Sequence, residues 1–390
     1  FSIPHKYEYI TMKWGEPRTL QDISITEVTW VLPDGIVLLP ASWLCKSRIT
    51  GDQVPMERDK STNEPVTKYD QNIEEYFPVL SDLKWTDDTR SDNYYDTMHV
   101  FYQLYTRTGE DKYFKAARKE VVHYREKEIV QDGPRRGGNV KHIKTRYVYV
   151  QAMADDYLLT GDPRSLEIAK YMVEYLTKAV PPEKAYLPKW SRKFWTEREI
   201  AFPFLGVLTY YELTGEKRYF EIARQYMGNL YKTQNEWPGR GGFIHNLRSS
   251  GEDAIAKITE YGGSAFMTSL LLEAIIKYHE LTNSKIAEDS IYRALDWLKK
   301  ECLGPDGETF IYLTADYYKD KGGAQGNLTI VHGFGYGYKI SGYKRIDYLK
   351  LGKKIFERGA NSAFLKKRKH FNLNYRSSGH FLAYISGEDK

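Results

Sequence analysis

The stretch FWTEREIAFPFLGVLTYYELTGEKRYFEIARQYM, from Phe194 to Met227, has the pattern of two helices joined by a short turn. The first segment, AFPFLGVLTYYEL, is apolar on most faces, and Leu-Thr-Gly ends it at Gly215. The second, YFEIARQYMGNLYK, mixes apolar residues with Lys, Arg and Glu at helical spacing. Glycine suits the residue just after a helix, where a left-handed conformation caps the last carbonyls. The stretch therefore predicts a hairpin of one buried and one amphipathic helix.

The same plan recurs along the chain. Each copy has an apolar helix, a turn that usually reads Thr-Gly, and an amphipathic helix. Successive turns are 52 to 68 residues apart, a spacing that fits one helical hairpin plus one long loop. The turns fall at Gly109, Gly161, Gly215, Asn283 and Gly342.

Alternating buried and amphipathic helices predict two concentric layers, because a helix that is apolar all round must be enclosed by others. We expect an all-α fold, an α/α toroid of about six inner and outer helical hairpins. An open solenoid of helical pairs is the alternative, but tetratricopeptide-type repeats have a period of ~34 residues and tight loops. The longer period and the long loops rich in Trp, Gly and charge favour the toroid.

Two regions are expected. Residues 1–83 contain the β-branched run TLQDISITEVTWVLPDGIVLLP, with a Pro-Asp-Gly turn, and then a Gly-, Pro- and Asp-rich stretch of little helical period. They predict a small strand and loop layer packed on the barrel. Residues 84–390 are expected to form the catalytic toroid.

Composition excludes several function classes. The net charge of the 390 residues is only +5, with both signs interspersed, so no nucleic-acid partner is expected. There is no apolar run of ~18 residues, so no membrane partner is expected. Phosphate-loop, HExxH, Cys-x-x-Cys and GxSxG motifs are absent from the sequence, and neither a cofactor nor a metal is predicted. We expect an extracellular or periplasmic location, with any signal peptide already removed.

The predicted site lies where the inner helices begin. In a toroid these helices are roughly parallel, so the segments ahead of them meet at one rim. Aromatic rings there would stack on sugar rings, and basic side chains would hold carboxylates. The predicted substrate-binding residues are Trp85, Tyr95, Trp195, Arg198, Lys144, Tyr149, His332 and Tyr336.

These residue types fit β-elimination on a uronic acid polymer. That reaction needs the C5 carboxylate neutralised, a base for the C5 proton and an acid for the leaving oxygen. We assign Tyr261 and His245 as the acid and base pair. Asn246, Arg248 and Arg146 are the expected neutralisers, and His142 is a further catalytic candidate.

Two other functions stay open. A glycoside hydrolase would use Glu199 with Asp88 or Asp92, since hydrolysis needs carboxyl groups flanking the bond. Glu199 can equally complement a helix dipole, and either aspartate can cap a helix. The third reading is a non-catalytic glycan-binding or structural toroid, which would keep the aromatic platform without the acid and base.

The repeated segments ELTGEKRYFEIAR, RTGEDKYFKAAR and LLTGDPRSLEIAK resemble those of α/α-toroid carbohydrate-active enzymes. That group includes unsaturated glucuronyl hydrolases and polysaccharide lyases such as alginate lyases. The resemblance covers about residues 85 to 360 and lies in the scaffold repeat. It implies the toroid fold and a polysaccharide or oligosaccharide substrate, which would be anionic for a lyase. It leaves the reaction open.

Overall fold

The structure is a computed structural model that describes residues 39–56, 64–85, 93–130, 145–187, 196–236, 241–246, 261–314, 322–323 and 326–389. Most of these residues are helical. In chain order the α-helices are α1 (Ala41–Ser47), α2 (Glu64–Ser81), α3 (Thr97–Thr108), α4 (Asp111–His123), α5 (Val150–Thr160), α6 (Pro163–Ala179), α7 (Glu197–Thr214), α8 (Lys217–Glu236), α9 (Ala265–Thr282), α10 (Lys285–Trp297), α11 (Asn327–Ile340), α12 (Ile346–Ser362), α13 (Arg368–Tyr375) and α14 (Ser378–Ile385).

All five predicted turns have the left-handed conformation. The φ angles are 68° at Gly109, 71° at Gly161, 70° at Gly215, 52° at Asn283 and 63° at Gly342. At the first four, the residue's N–H caps its helix by donating to a carbonyl four residues earlier. The Thr of each Thr-Gly or Thr-Asn pair also bonds back into the last helical turn through its hydroxyl. The short turn motif therefore ends one helix and starts the next.

The helices form the two predicted layers. Helices α3, α5, α7, α9 and α11 are buried on most faces, and each packs on the inner helix of the next pair. Their partners α4, α6, α8, α10 and α12 bury only one face. The all-α toroid is confirmed.

The sixth pair combines the two ends of the described chain. Helix α14 packs against α11 in the inner layer, and α2 packs against α12 in the outer layer. The Tyr69 ring of α2 stacks on Tyr375 at a centroid distance of 4.5 Å, and its hydroxyl lies 2.7 Å from Ser378 Oγ. Phe77 of α2 packs on Tyr113 of α4, so the described residues close a ring of six pairs.

The structure corrects part of the expectation that residues 1–83 form a strand and loop layer. Within that range, helix α2 spans Glu64–Ser81 and belongs to the toroid. Its apolar residues Tyr69, Ile73, Phe77 and Leu80 recur at helical spacing and are all buried. Pro78 and the acidic residues between them give the segment the composition of a loop. The Pro-Asp-Gly hairpin predicted nearer the start lies outside the described residues.

Two small antiparallel ribbons lie next to the starts of inner helices α9 and α11. Strand β1 (His245–Asn246) pairs with β2 (Tyr261–Gly262), in the register His245↔Gly262 and Asn246↔Tyr261. Strand β3 (Phe310–Ile311) pairs with β4 (Gly322–Gly323). They bring loop residues to the rim at which the inner helices begin.

Candidate active site

A cavity of about 550 Å³ opens where the inner helices begin, and we call this end the N-terminal mouth. Its walls come from segments far apart in sequence, as expected for a shared rim. The lining residues are Tyr95, Arg198, Ala265, Phe266, Phe310, Ile311, Tyr312, Gly323, Gly326, Ile330, Lys369, His370 and Leu373. A cavity of this size, with apolar walls and a few convergent polar groups, is typical of small-molecule and sugar sites.

Tyr95 is held at this cavity in an unusual backbone conformation. Its φ is 65°, and that of Asp96, the N-cap of α3, is 66°. Positive φ is uncommon outside glycine and clusters at functional sites. The Tyr149 hydroxyl accepts from the Tyr95 N–H at 3.0 Å, and Arg376 donates to the Tyr95 carbonyl at 3.1 Å. Tyr149 therefore supports Tyr95 from behind.

Three cations lie near Tyr94, whose ring stacks on Tyr95 at a centroid distance of 4.1 Å. Arg198 donates to the Tyr94 hydroxyl at 3.2 Å, and Lys369 Nζ lies 5.2 Å from the ring centre. Burial lowers the pKa of Lys369, and the positive charges of Arg198 and Arg146 lower it further. This cluster repels its own members, so an anion bound among them would be stabilised.

One carboxylate accompanies the cation cluster. Glu199 Oε1 accepts from Arg146 at 2.9 Å, and its Oε2 accepts from the Thr145 hydroxyl at 3.0 Å. The side chain is 13 % exposed and lies in the first turn of α7, where a negative charge complements the helix dipole. Glu199 is therefore ion-paired with Arg146, one of the three cations.

His370 follows Lys369 in the first turn of α13 and also lines the cavity. Burial, together with the positive charges of Lys369 and Lys367, lowers its pKa below the ordinary 6.5. Its Nδ1 is buried without a hydrogen-bond partner among the described residues. A neutral imidazole at neutral pH can accept a proton, which is the property a general base needs.

Another part of the cavity wall is aromatic. Phe266, in the first turn of α9, stacks on Tyr312 with a centroid distance of 5.7 Å and an interplanar angle of 29°. Phe310 and Ile311 of β3 extend this wall. Flat rings of this kind pack on the apolar faces of sugars.

His245 lies beneath the rim and has no exposed surface. Its Nδ1 is 2.8 Å from Glu197 Oε2, and Glu197 Oε1 accepts from the Ser264 N–H at 2.8 Å. This buried pair joins the start of α7 to β1 and to the start of α9. His245 is therefore a buried residue of the ribbon that carries Tyr261, and it does not line the cavity.

Three further predicted residues lie elsewhere. The Trp85 ring stacks on His123 at 3.9 Å, and its Nε1 donates to Glu120, on the outer layer. His332 lines a second cavity inside the toroid. Tyr336 shares a hydrogen bond with His279 near the opposite end of the inner helices. The structure brings none of these three to the N-terminal mouth.

The remaining predicted residues lie outside the described part of the structure. Asp88, His142, Lys144, Trp195 and Arg248 belong to this group. For Asn246 and Tyr261 only the backbone is described, in the ribbon of β1 and β2. Their assignments remain predictions.

Among the cavity residues that sequence reasoning missed are Phe266, Tyr312, Lys369 and His370. The last two belong to the run LKKRKH, which directly precedes and opens α13. That run follows the last recognisable repeat, so the repeat pattern does not place it at the rim. A block of positive charge at the start of a helix was the available signal, because helix starts favour anionic ligands.

The described residues contain no group of three or more His, Cys, Asp or Glu side chains arranged to hold a metal ion. None of their helices combines the length and hydropathy needed to cross a membrane.

Solved structures with the same fold include carbohydrate-active enzymes. A polysaccharide lyase is 14% identical, with a TM-score of 0.61 over 83% of this chain and 99% of that one. A D-mannose isomerase is 12% identical, with a TM-score of 0.61 over 85% and 99%. An unsaturated glucuronyl hydrolase from Bacillus sp. GL1 is 11% identical, with a TM-score of 0.54 over 89% and 94%. No family model and no curated protein matches the sequence.

Proposed function

We propose that this protein is a polysaccharide lyase that cleaves a uronic-acid-containing polysaccharide by β-elimination at the N-terminal mouth. The observation that carries the proposal is the cluster of Arg146, Arg198 and Lys369 around the Tyr94–Tyr95 stack. Guanidinium groups bind carboxylates bidentately, and a lysine adds a compact charge. The proposed partner is an anionic polysaccharide or oligosaccharide.

The cations have a direct role in elimination. Neutralising the uronate carboxylate stabilises the negative charge that develops when the C5 proton leaves. The base takes that proton, the C5–H electron pair forms the C4=C5 double bond, and the C4–O bond breaks. The departing oxygen takes a proton from an acid, so the product has one conjugated, unsaturated end.

We assign His370 as the base because it lines the cavity beside the cations and its pKa is lowered. Tyr261 is retained as the proposed acid. Its backbone lies in β2, shortly before Ala265 in the cavity wall, and pairs with Asn246. His245 then acts as a positioning residue, because its contact with Glu197 anchors the ribbon that carries Tyr261.

The aromatic residues complete the proposal by binding the neutral parts of the sugar. Phe266 and Tyr312 line the same cavity as Arg198 and Lys369, so a sugar ring that stacks on the aromatic pair can place its carboxylate at the two cations. The fold is compatible with this chemistry, since one similar structure is a polysaccharide lyase. Another is a D-mannose isomerase, so the proposal rests on the site and not on the fold.

The proposal is tested by ultraviolet absorbance during incubation with alginate, polyglucuronate, pectate and glycosaminoglycans. Elimination creates an absorbing conjugated double bond, and hydrolysis does not. We expect the absorbance to rise with at least one polymer. Lys369→Ala should slow it roughly tenfold to a hundredfold, since a hydrogen bond to a charged group contributes about 1.5–3 kcal/mol. His370→Asn should slow it by about 10²–10⁴, the range for a general base.

The matched control is Lys366→Ala, an exposed lysine of the same run that does not line the cavity. It should retain the wild-type rate. New reducing ends without a rise in absorbance would show that the reaction is hydrolysis and not elimination. Glu199 would then be the candidate catalytic carboxylate. Glycan binding without either product would favour the non-catalytic binding toroid.

A further inference from the structure

A second cavity, of about 380 Å³, opens at the opposite end of the toroid, near the ends of the inner helices. We call this end the C-terminal mouth. Arg48 and Leu158 are exposed at its entrance, while His99 and His332 are buried deeper inside. It shares no lining residue with the cavity at the N-terminal mouth.

Arg376 separates the two cavities. Its fully buried guanidinium bonds to Glu273 at 2.8 Å and donates to Gln151 at 2.8 Å, and both of these residues line the second cavity. It also donates to the Tyr95 carbonyl at 3.1 Å, and Tyr95 lines the first cavity. The second cavity is therefore a separate chamber with its own opening.

The charged groups of this chamber are paired with one another. Glu212 lies 2.5 Å from Lys277, and Glu273 is held by Arg376. Asp155 Oδ2 lies 2.6 Å from His99 Nδ1. Asp52 contacts both Arg48 and Lys339. Asp52, Glu212, Glu273 and Glu280 each contact an Arg or Lys side chain, and burial raises the pKa of Asp155 well above its usual value. The chamber is therefore better suited to an uncharged ligand than to an ion.

Two buried polar atoms in its wall have no partner among the described residues: His332 Nε2 and Thr209 Oγ1. His332 is 1 % exposed and Thr209 is 6 % exposed. His332 Nδ1 donates to the Thr329 carbonyl at 2.8 Å, so this nitrogen carries the proton. Burial lowers the pKa of His332 to about 4, which keeps the ring neutral. Its Nε2 is therefore a bare acceptor that needs a donor.

We propose that the chamber at the C-terminal mouth binds a neutral monosaccharide or polyol, with one hydroxyl donating to His332 Nε2 and another bonding to Thr209 Oγ1. Hydroxyl groups both donate and accept, so they satisfy the two atoms without adding charge. Leu158, Leu205 and Ile276 supply the apolar wall that the carbon face of a sugar needs. This site is independent of the reaction at the N-terminal mouth.

Isothermal titration calorimetry of the whole chain with D-mannose, D-glucose, D-galactose, myo-inositol and glycerol tests the site. D-Glucuronate and D-glucosamine serve as charged comparisons. We expect saturable binding of at least one neutral compound with one site per chain. Thr209→Val keeps the shape of the side chain and removes the hydroxyl, so it should raise the Kd about tenfold. Lys369→Ala should leave the Kd unchanged.

Ala154→Leu is the second variant, since Ala154 lines the chamber and a larger side chain would occupy it. Circular dichroism and the Tm show whether each variant is folded. If Ala154→Leu does not fold, the Kd of Thr209→Val decides the test alone. The proposal is overturned if no neutral compound saturates, or if the charged sugars bind more tightly. It is also overturned if folded Thr209→Val binds as well as wild type, or if Lys369→Ala abolishes the binding.

Discussion

The Lys369 ammonium lies 5.2 Å from the centre of the Tyr94 ring, within the field of Arg198 and Arg146. At this scale the site is defined by like charges held close together. His370 experiences the same field, because Lys369 and Lys367 disfavour its protonated form. The result is a positively charged surface next to an imidazole whose protonated form is disfavoured, the pairing that the proposed elimination needs.

The pH dependence of activity follows from the lowered pKa of His370. A base must be neutral, so kcat/KM should decline only as the pH falls below 6.5. Lys367→Ala removes one positive charge that lowers this pKa, so the declining limb should move to higher pH at low ionic strength. The pH profile of initial rates measures the shift. The control is Lys353→Ala, which changes an exposed lysine on α12. If the acidic limb of the pH profile does not shift in Lys367→Ala, His370 is not the base.

His332 predicts a pH effect on stability that does not depend on the reaction. Its folded pKa is about 4, whereas an unfolded histidine has a pKa near ~6.5. The unfolded chain therefore binds the proton first, and stability is lost as the pH falls from ~6.5 toward 4. At pH ~5 the loss from this residue is about 2 kcal/mol.

The variant His332→Asn lacks that titration but can still donate to the Thr329 carbonyl. Urea unfolding of both proteins between neutral pH and pH ~5 should show the wild type losing about 2 kcal/mol more than the variant. A constant difference between their unfolding free energies would mean that His332 is not held neutral by burial.

At the scale of elements, the left-handed turns divide the chain into hairpins. Gly215 has a φ of 70°, and an added Cβ would meet no atom within 4 Å. Gly215→Ala should therefore lower the free energy of unfolding only by the strain of a left-handed backbone at alanine, about 1–2 kcal/mol. Gly215→Asn should cost less, since Asn283 already occupies the equivalent turn with a φ of 52°. Gly109→Ala should cost more, because its Cβ would lie 2.8 Å from the Leu39 carbonyl oxygen.

Urea unfolding free energies of the three variants check this order. If Gly215→Ala and Gly215→Asn lower the free energy of unfolding equally, the left-handed conformation is not the source of the strain. Asn283→Gly is the reverse control, and it should be as stable as the wild type or more so.

The extent to which elements could be predicted depends on whether they carry the turn motif. Five hairpins were predicted because the Thr-Gly or related pair stands between an apolar and an amphipathic helix. Helices α2 and α14 have no such turn between them and lie at opposite ends of the described chain. The pairing of α2 with α14 follows from ring closure, which no local pattern encodes.

The residues of the candidate site could likewise be predicted only where they belong to a recognisable repeat. Tyr95, Arg146, Arg198 and Glu199 lie just ahead of inner helices or in their first turns, and the structure places them around one rim. Lys369 and His370 were missed because α13 lies beyond the last repeat. His332 faces the toroid interior, but its sequence position does not indicate which of two chambers it lines.

For the whole molecule, ring closure links α2 to α14. Tyr69→Ala removes the stack on Tyr375 and the bond to Ser378, a loss we expect to cost about 3–5 kcal/mol. Hydrogen exchange should then accelerate in α14 as well as in α2. Tyr219→Ala is the control, since Tyr219 is a buried tyrosine of α8 far from the closure. Unchanged protection of α14 in Tyr69→Ala would mean that closure contributes little to its stability.

The most direct test of the central claim compares one uronate polymer before and after chemical reduction of its carboxylates to alcohols. The polymer is the one that the wild-type protein cleaves or, failing cleavage, binds. If Arg146, Arg198 and Lys369 recognise the carboxylate, reduction should abolish cleavage and raise the Kd at least tenfold, about 1.4 kcal/mol. Lys369→Ala should discriminate less between the two forms. Equal binding and cleavage of the reduced polymer would contradict an anionic substrate at the N-terminal mouth.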